Sequence, residues 1–320
     1  MVTPLAAIAT ARLVAHDAAF PLIALNAFTT WLYLPAWGVA IFALASQRRA
    51  LATAACALVV LHVAWVAPGA VGAAALPPRA EGAPPLRVMT ANLLAPNRDT
   101  DRTVRQILDT RPDVLVVEEL TPEWLDALAS GGVTDLLPFG YVVPRDDCFG
   151  IGILSRHPLT GRDVIDLDGV PLLRATVDVG GGAVTVLAVH TLPPRTSEYA
   201  RVWDHQMTVL AGLVERERGA VVVLGDLNAT AQARNYQRLV RGRLRGAHED
   251  RGRGLATTWP NGLFPLPPIR LDHVLVSREL AVRDVRELAP NGSDHVPVVA
   301  DLAVLPERAP ARSPRLSVAP

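Results

Sequence analysis

Lysine is missing from all 320 residues, so each of the 31 basic side chains is an arginine. With the heavy use of Ala, Val, Leu and Pro, this absence reads as the coding bias of a GC-rich genome rather than as function. Cysteine is almost missing too. Cys56 lies in an apolar run and Cys148 in the charged part of the chain. Two thiols so placed build no disulfide framework and do not report the redox compartment. Neither a CxxC nor an HExxH pattern occurs, which argues against a structural zinc site or a zincin protease. Charge of one sign is also scarce. The formal net charge is zero, and residues 86–306 carry 24 Arg against 28 Asp plus Glu, a balance of −4. A domain-wide basic field for nucleic acid is therefore absent. No internal repeat is visible.

Charge of any sign is rare near the start. Residues 1–70 contain four charged side chains: Arg12, Asp17, Arg48 and Arg49. FTTWLYLPAWGVAIFALA (28–45) and LATAACALVVLHVAWVA (51–67) are uncharged, and the second extends through Val71. A hydrocarbon core of ~30 Å needs about 20 helical residues. Both runs read as spans. An earlier run, 2–27, holds Arg12, His16, Asp17 and Pro21 and reads as a third span or an interfacial helix. A cleaved signal peptide is the alternative, but the apolar region is too long and too repeated for one. Residues 1–67 are thus expected to be a membrane anchor of two or three transmembrane helices in contact with the lipid bilayer. The positive-inside rule puts Arg48 and Arg49 in the cytoplasm, with Trp31 and Trp65 near the far interface. All that follows Pro68 should lie outside the cytoplasmic membrane. Residues 68–85 are rich in Pro, Gly and Ala and read as a linker. Its reach would keep the next domain within roughly a few tens of ångströms of the bilayer. Residues 307–320 read as a disordered tail.

Between them, residues 86–306 alternate short apolar runs with amphipathic ones. Strands are expected at 86–92, 113–119, 139–143, 149–155, 172–178, 183–190, 220–226, 270–276, 281–287 and 296–302. Helices are expected at 99–109, 121–129, 198–217 and 231–241. The third helix is the clearest, because Trp203, Met207, Leu210 and Val214 share one helical face. Many strands with few, unevenly placed helices indicate an α+β domain with packed sheets.

Polar residues interrupt the ends of these strands. RVMTANLL ends on Asn92, DVLVVEEL on Glu118 and Glu119, VTVLAVHT on His190 and VVVLGDLN on Asp226 and Asn228. IRLDHVLVS opens on Asp272 and His273, and GSDHVPVV on Asp294 and His295. In an extended chain residues i and i+2 share a face, so Asp226 and Asn228 should point together while Leu227 turns back. Each residue alone is as well explained by a turn or by packing. Jointly, acids, amides and imidazoles without a cationic centre suit Mg²⁺, Mn²⁺ or Ca²⁺.

The ordered set T-x-N, D-x₅-E, H, G-D-x-N, D-H and S-D-H resembles the endonuclease/exonuclease/phosphatase superfamily over about 86–303. DNase I, abasic-site endonucleases, bacterial sphingomyelinases and inositol-polyphosphate phosphatases belong to it. The resemblance implies a DNase I-like four-layer α/β sandwich and metal-dependent hydrolysis of a phosphoester. It further implies metal contacts at Asn92, Glu119 and Asp294, with Mg²⁺ or Mn²⁺ as cofactor. Asp226 would orient or deprotonate the attacking water, Asn228 would hold water or phosphate, and His295, paired with Asp272, would stay charged against the phosphate. His190 would contact phosphate or assist the leaving group, as in the DNase I and sphingomyelinase branch. One departure is Glu118, where the family usually has Gln. The anchor and TTWPNGLFPLPPIRLDHVLVS (257–277) also resemble the VanJ-type membrane proteins of teicoplanin resistance.

Other patterns are weaker. Ser293, Asp294 and His295 have the residue types of a serine triad, but neighbours in an extended chain face opposite ways. Asn291 opens a glycosylation sequon that reads more simply as a turn. His273 is left open. ARNYQRLVRGRLRGAHEDRGR (233–253) holds seven arginines. They are either a solvated face or an anion-reading rim. Three functions follow: a membrane-anchored phosphoesterase for a lipid-linked or envelope phosphate, a membrane-tethered nuclease, or a silent phosphate-binding domain. No protein partner is evident.

Overall fold

The computed structural model describes residues 2–180, 182–262 and 265–306; the tail 307–320 lies outside them. The chain begins with α1 (Val2–Ala15), α2 (Phe20–Ala27), α3 (Thr29–Leu32), α4 (Leu34–Ala45) and α5 (Arg49–Ala70). Only α5 among the described helices is by itself long and apolar enough to cross a membrane, at 22 residues and a mean hydropathy of 2.1. The 28–45 run, expected as one span, breaks at Tyr33 into α3 and α4. The 2–27 run bends by 113° between α1 and α2. α1 packs beside α5, whereas α2 turns toward the catalytic part and lays Ile23 on its core. Asp17 organises this bend, accepting hydrogen bonds from Asn26 Nδ2 and the Arg234 backbone N–H, each at 2.6 Å.

After α5 come β1 (Pro85–Asn92), α6 (Thr100–Thr110), β2 (Val114–Glu118), α7 (Pro122–Ser130), α8 (Val133–Leu136), β3 (Phe139–Val143) and β4 (Ile151–Ser155). Then follow β5 (Leu159–Leu167), β6 (Val170–Val179), β7 (Gly182–His190), α9 (Ser197–Arg216), β8 (Ala220–Asp226) and α10 (Arg234–Arg241). The chain closes with β9 (Leu244–Gly246), α11 (Ala247–Asp250), β10 (Asp272–Ser277), β11 (Leu280–Glu287) and β12 (Val298–Val304). The strands form two six-stranded mixed sheets, β11-β12-β1-β2-β4-β3 and β5-β6-β7-β8-β10-β9.

The two-residue period of a strand builds the layers. Val88, Val116, Val222, Leu224 and Val274 point between the sheets. Their neighbours point outward: Met89, Leu115 and Val117 meet α6 and α7 through Val104, Ile107 and Trp124. On the other side Val221, Val223 and Leu275 meet Trp203, Met207 and Leu210 of α9 and Tyr236 of α10. The result is the expected four-layer α/β sandwich. α9 also begins on an N-cap, Thr196, whose hydroxyl accepts the Tyr199 N–H at 3.1 Å; this satisfies one of the open donors of the first turn.

β5 and β9 were not expected. β5 is an edge strand, exposed along most of its length and carrying Arg162, Asp163 and Asp166, so it lacks an apolar run; charge on an edge guards it against stray pairing. Residues 68–85 do not behave as a free tether either. Residues 68–70 complete α5, Ala74 N–H donates to Asp250 O, and Arg283 donates to the carbonyls of Ala80 and Ala83. Backbone hydrogen bonds, which composition does not reveal, fasten this segment to the domain.

Following each inward row to its end gives Asn92, Glu118, His190, Asp226 and Asp272 at one end of the sandwich. The registers Asn92↔Glu118, His190↔Asp226 and Asp272↔Asp226 set them side by side. Gly225, with φ of +139°, lets β8 approach β7 closely. A Cβ there would overlap the Val189 carbonyl and press on Glu118 Oε1. Gly225→Ala should therefore destabilise the protein by about 1–3 kcal/mol or more; an unchanged melting temperature would contradict this packing.

Candidate active site and metal centre

At that end of the sandwich the polar groups are buried and joined to one another. His295 Nδ1 lies 2.8 Å from Asp272 Oδ2, and its Nε2 lies 3.7 Å from Asp226 Oδ2. His190 Nε2 approaches the same Asp226 oxygen to 3.7 Å. The Asn92 amide nitrogen sits 3.4 Å from Asp226 Oδ2 and 3.2 Å from Glu119 Oε1. Its carbonyl oxygen turns the other way and accepts the Leu94 N–H at 3.0 Å. In this arrangement Asn92 bridges two carboxylates; its oxygen would face an ion only after an amide flip.

Two residues arrive by turns rather than by strand alternation. β2 ends at Glu118, and Glu119 has φ of +56°. This swings its side chain out of the strand row, where Oε2 accepts the Ala95 N–H at 2.9 Å. β8 ends at Asp226, and Asn228 has φ of +45°. Asp226 Oδ1 accepts the Asn228 N–H at 2.8 Å, and the Asn228 amide donates to Thr191 O at 2.9 Å. The expectation that simple i, i+2 alternation aligns Asp226 with Asn228 is thereby corrected. An aspartate-capped turn brings them together, and Leu227 does turn into the core.

Asp294 reaches the cluster from the opposite wall. Its Oδ2 accepts the Trp259 Nε1–H at 2.9 Å. Ser293 is structural: it donates to Asn92 O at 2.8 Å and accepts the His295 N–H at 3.1 Å. The Asp partner of His295 is thus Asp272, 23 positions away, not its neighbour. Thr258 and Trp259 were not singled out in the sequence. Thr258 Oγ1 accepts the N–H groups of Leu271 and Asp272, setting the entry to β10. Only the TTWPNG stretch gave a signal for them, and it gave no role.

Burial sets the charges. It disfavours an imidazolium at His295, yet the Asp272 and Asp226 carboxylates outweigh it and raise that pKa to about 10. Burial likewise pushes Asp226 up to about 7, against the attraction of His295 and with the repulsion of Asp272. Burial and the charge on His295 hold His190 down to about 4, so it is a neutral imidazole. Glu118 is fully buried, accepts from Thr90 Oγ1 at 2.6 Å, and is raised well above the usual carboxylate range by burial. A protonated Glu118 is a neutral group like the Gln that the motif usually has.

His273 lies on the opposite face of β10, its Nε2 2.7 Å from Ala229 O and its ring against Tyr236. Burial lowers its pKa to about 3, a packing role. Of the arginines of 233–253, Arg234, Arg238, Arg241 and Arg253 are exposed and Arg243, Arg245 and Arg251 are half-buried, most of them with partners in the same chain. Arg243 bonds the Glu217 and Gly219 carbonyls, Arg245 pairs with Asp250, Arg251 bonds Ala74 O and Arg253 pairs with Glu287. Asn291 of the sequon is buried.

Residues 89–295 match the model of the endonuclease/exonuclease/phosphatase family. The chain belongs to that family. It is accordingly a hydrolase of phosphoester bonds, in a family that depends on divalent metal ions. Solved structures share the fold. A humanized D. rerio TDP2 aligns with 17% identity and a TM-score of 0.59, over 68% of this chain and 98% of the neighbour. A D. rerio TDP2 complexed with single-strand DNA product gives 17%, 0.58, 68% and 98%. A family member from Beutenbergia cavernae gives 22%, 0.55, 69% and 72%. No curated protein matches the chain.

The residues present fit a hard divalent cation. Ligand atoms of Asp226, Asp272 and His295 lie within 4.8 Å of one another. That trio largely neutralises itself, because an imidazolium has no lone pair to offer a metal. Glu119 is the better-placed ligand, half-buried and held only by Ala95 N–H and the Asn92 amide. Asp272 Oδ1 and Asp294 Oδ1 are buried with no hydrogen-bond partner among the described residues. Carboxylate oxygens of this kind suit Mg²⁺ or Mn²⁺.

The raised His295 pKa has a signed consequence. Its stabilisation should be fully present below about pH 6.5 and fade as pH rises toward 10. Asp272→Asn should lower the His295 pKa by at least about one unit, or ~1.4 kcal/mol, as read by NMR titration of its imidazole. A pKa left near 10 would mean that the pair does not set the charge.

Proposed function

We propose that this chain is a membrane-anchored, Mg²⁺- or Mn²⁺-dependent phosphoesterase acting on a lipid-linked phosphate ester or pyrophosphate at the outer face of the cytoplasmic membrane. The observation that carries this reading is where the apolar helices dock. Trp31 Nε1 donates to Pro268 O at 2.7 Å and Gly254 N–H to Gly69 O at 2.8 Å, at the same end of the sandwich as the buried cluster. Around them Leu13, Val14, Ile41, Phe42, Leu44 and Val60 are exposed on the helices, a large apolar surface that water disfavours and lipid accepts. Arg48 and Arg49 join α4 to α5 at the remote end, and the positive-inside rule supports a non-cytoplasmic catalytic part on that account.

Glu119, with an oxygen of Asp294, would hold the metal, which would supply charge neutralisation of the phosphoryl oxygens. Asp226, poised near pH 7, takes the proton of the attacking water, and a group with that pKa is well matched to the task. Asn228 fixes the geometry around it. His295 keeps its positive charge against a phosphoryl oxygen because Asp272 never lets the imidazolium lose its partner. His190, neutral and beside Asp226, offers a hydrogen bond to the phosphate or the leaving oxygen.

A tethered nuclease is the second reading, favoured by the TDP2 neighbour complexed with DNA product. The balance of 24 Arg against 28 Asp plus Glu in residues 86–306 speaks against it, since DNA binding wants an excess of basic groups.

The full chain in detergent, supplied with Mg²⁺ or Mn²⁺, is to be offered polyprenyl pyrophosphate, sphingomyelin and plasmid DNA separately. Hydrolysis of a lipid with intact plasmid is expected; nicked plasmid with untouched lipids would overturn the lipid reading. Asp226→Asn should cut turnover at least about 100-fold without lowering the melting temperature, because it replaces a costly buried acid. Location has its own check. Cys148 is exposed, so a membrane-impermeant maleimide should label it in intact spheroplasts. Labelling only after lysis would place the domain inside.

A further inference from the structure

The anchor does more than touch the catalytic domain: it is bonded into the loop that follows Asp226. That loop, 227–233, is held at three depths. At the site, Asn228 bonds Asp226 and Thr191. Behind it, Ala229 O meets His273 Nε2 at 2.7 Å. At its outer end Ala231 O accepts from Gln237 Nε2, and both side-chain partners of Gln232 come from the first 65 residues. Gln232 Oε1 accepts from Arg12 at 3.0 Å, while Gln232 Nε2 donates to Trp65 O at 3.2 Å. One amide thus bridges α1 and α5. Two residues on, the Arg234 backbone N–H donates to Asp17 and its guanidinium donates to Ala15 O at 2.8 Å.

Arg12 is 5% exposed, so its charge is out of water. It donates to Asn26 Oδ1 and Thr29 Oγ1 and stacks 4.5 Å over the Trp65 ring. A buried guanidinium stripped of a partner is costly, which makes Gln232 a required closing piece of this cluster rather than a passing contact.

We propose that the N-terminal helices are a positioning element of the active site: Arg12 and Asp17, acting through Gln232 and Arg234, hold the loop that carries Asn228 in its working geometry. Anchoring then sets turnover as well as location. A loop with a left-handed residue at its functional position is strained, and it keeps that conformation only while its surroundings over-determine it. Its inner supports belong to the domain, among them Thr191 Oγ1 and Trp203 Nε1 donating to Leu227 O, and its outermost side-chain support, at Gln232, belongs to the N-terminal helices.

The kinetic half of this inference rests on the phosphoesterase reading; the structural half does not, and the test separates them. The full chain in detergent micelles is assayed with the soluble bis(4-nitrophenyl) phosphate, which removes any benefit of sharing a bilayer with the substrate. Gln232→Leu should lower kcat by at least about tenfold with KM nearly unchanged. Amide hydrogen exchange of 227–236 should quicken in the same variant. Gln232→Glu, which can still accept from Arg12, should recover most of kcat. Arg12→Gln combined with Gln232→Leu should do little more harm than either alone, as members of one joint. Asp17→Ala, cutting the second strut, should quicken exchange over the same segment, and it decides the matter if Gln232→Leu fails to fold. Wild-type kcat and wild-type exchange in Gln232→Leu would overturn the proposal. A wild-type chain that hydrolyses no phosphoester would sink the functional reading, while the exchange data would still decide the joint.

Discussion

The inner faces of two sheets pack into a dry core, and a strand delivers its side chains to that core at every second residue. Any polar residue that continues such a row past the last aliphatic one is buried by construction. Asn92, Glu118, His190, Asp226 and Asp272 all continue inward rows, and all are buried. Burial is what makes them chemically unusual. Ionised groups so placed must find a partner or lose charge. Asp272 and His295 take the first course as a pair. Glu118 takes the second and stays neutral. Asp226 lies between the two courses, near neutral pH, where a proton acceptor is most useful.

This gives the cluster a division of labour. The Asp272–His295 pair is an internally compensated charge whose positive end faces Asp226 across 3.7 Å. Glu119, reached by a turn and left half-buried, is held by two hydrogen bonds at the rim and makes no ion pair among the described residues. Below it Asp272 Oδ1 is buried without a hydrogen-bond partner among the described residues. Asp226, Asp272 and His295 lie close enough together to hold an ion by distance alone. A protonated His295 would leave Glu119, further out, as the better ligand.

Much of this was legible from sequence because it follows from period-two patterning. VVVLGD had to be a core strand that opens on an acid, and RVMTAN and DVLVVEE repeat that design. What escaped notice shares a physical reason. The 28–45 break, the left-handed residues at Glu119 and Asn228, and the Thr258 and Trp259 supports depend on backbone geometry or on partners far along the chain. Such partners leave no local trace. β5 escaped because an exposed edge strand has no reason to be apolar. The arginines of 233–253 read as a solvated face or a rim, and sequence shows a charge but not the carbonyl it will meet; Arg243 and Arg251 meet such carbonyls, while Arg234, Arg238, Arg241 and Arg253 are exposed.

The Pro/Gly/Ala segment carries the largest consequence. A free tether would leave the site indifferent to the N-terminal helices. Instead the chain returns at once to the domain, and Gly69 and Gly254 meet backbone to backbone, an approach that side chains larger than hydrogen would block. Once α5 is so fixed, Trp65 O has a set place, and Gln232 can bridge it to Arg12. The order of constraint runs from the helical bundle, through one amide, to the loop beside Asp226. Helices with exposed apolar faces thus brace the outer end of the loop beside Asp226, and the chemistry there inherits whatever rigidity they provide.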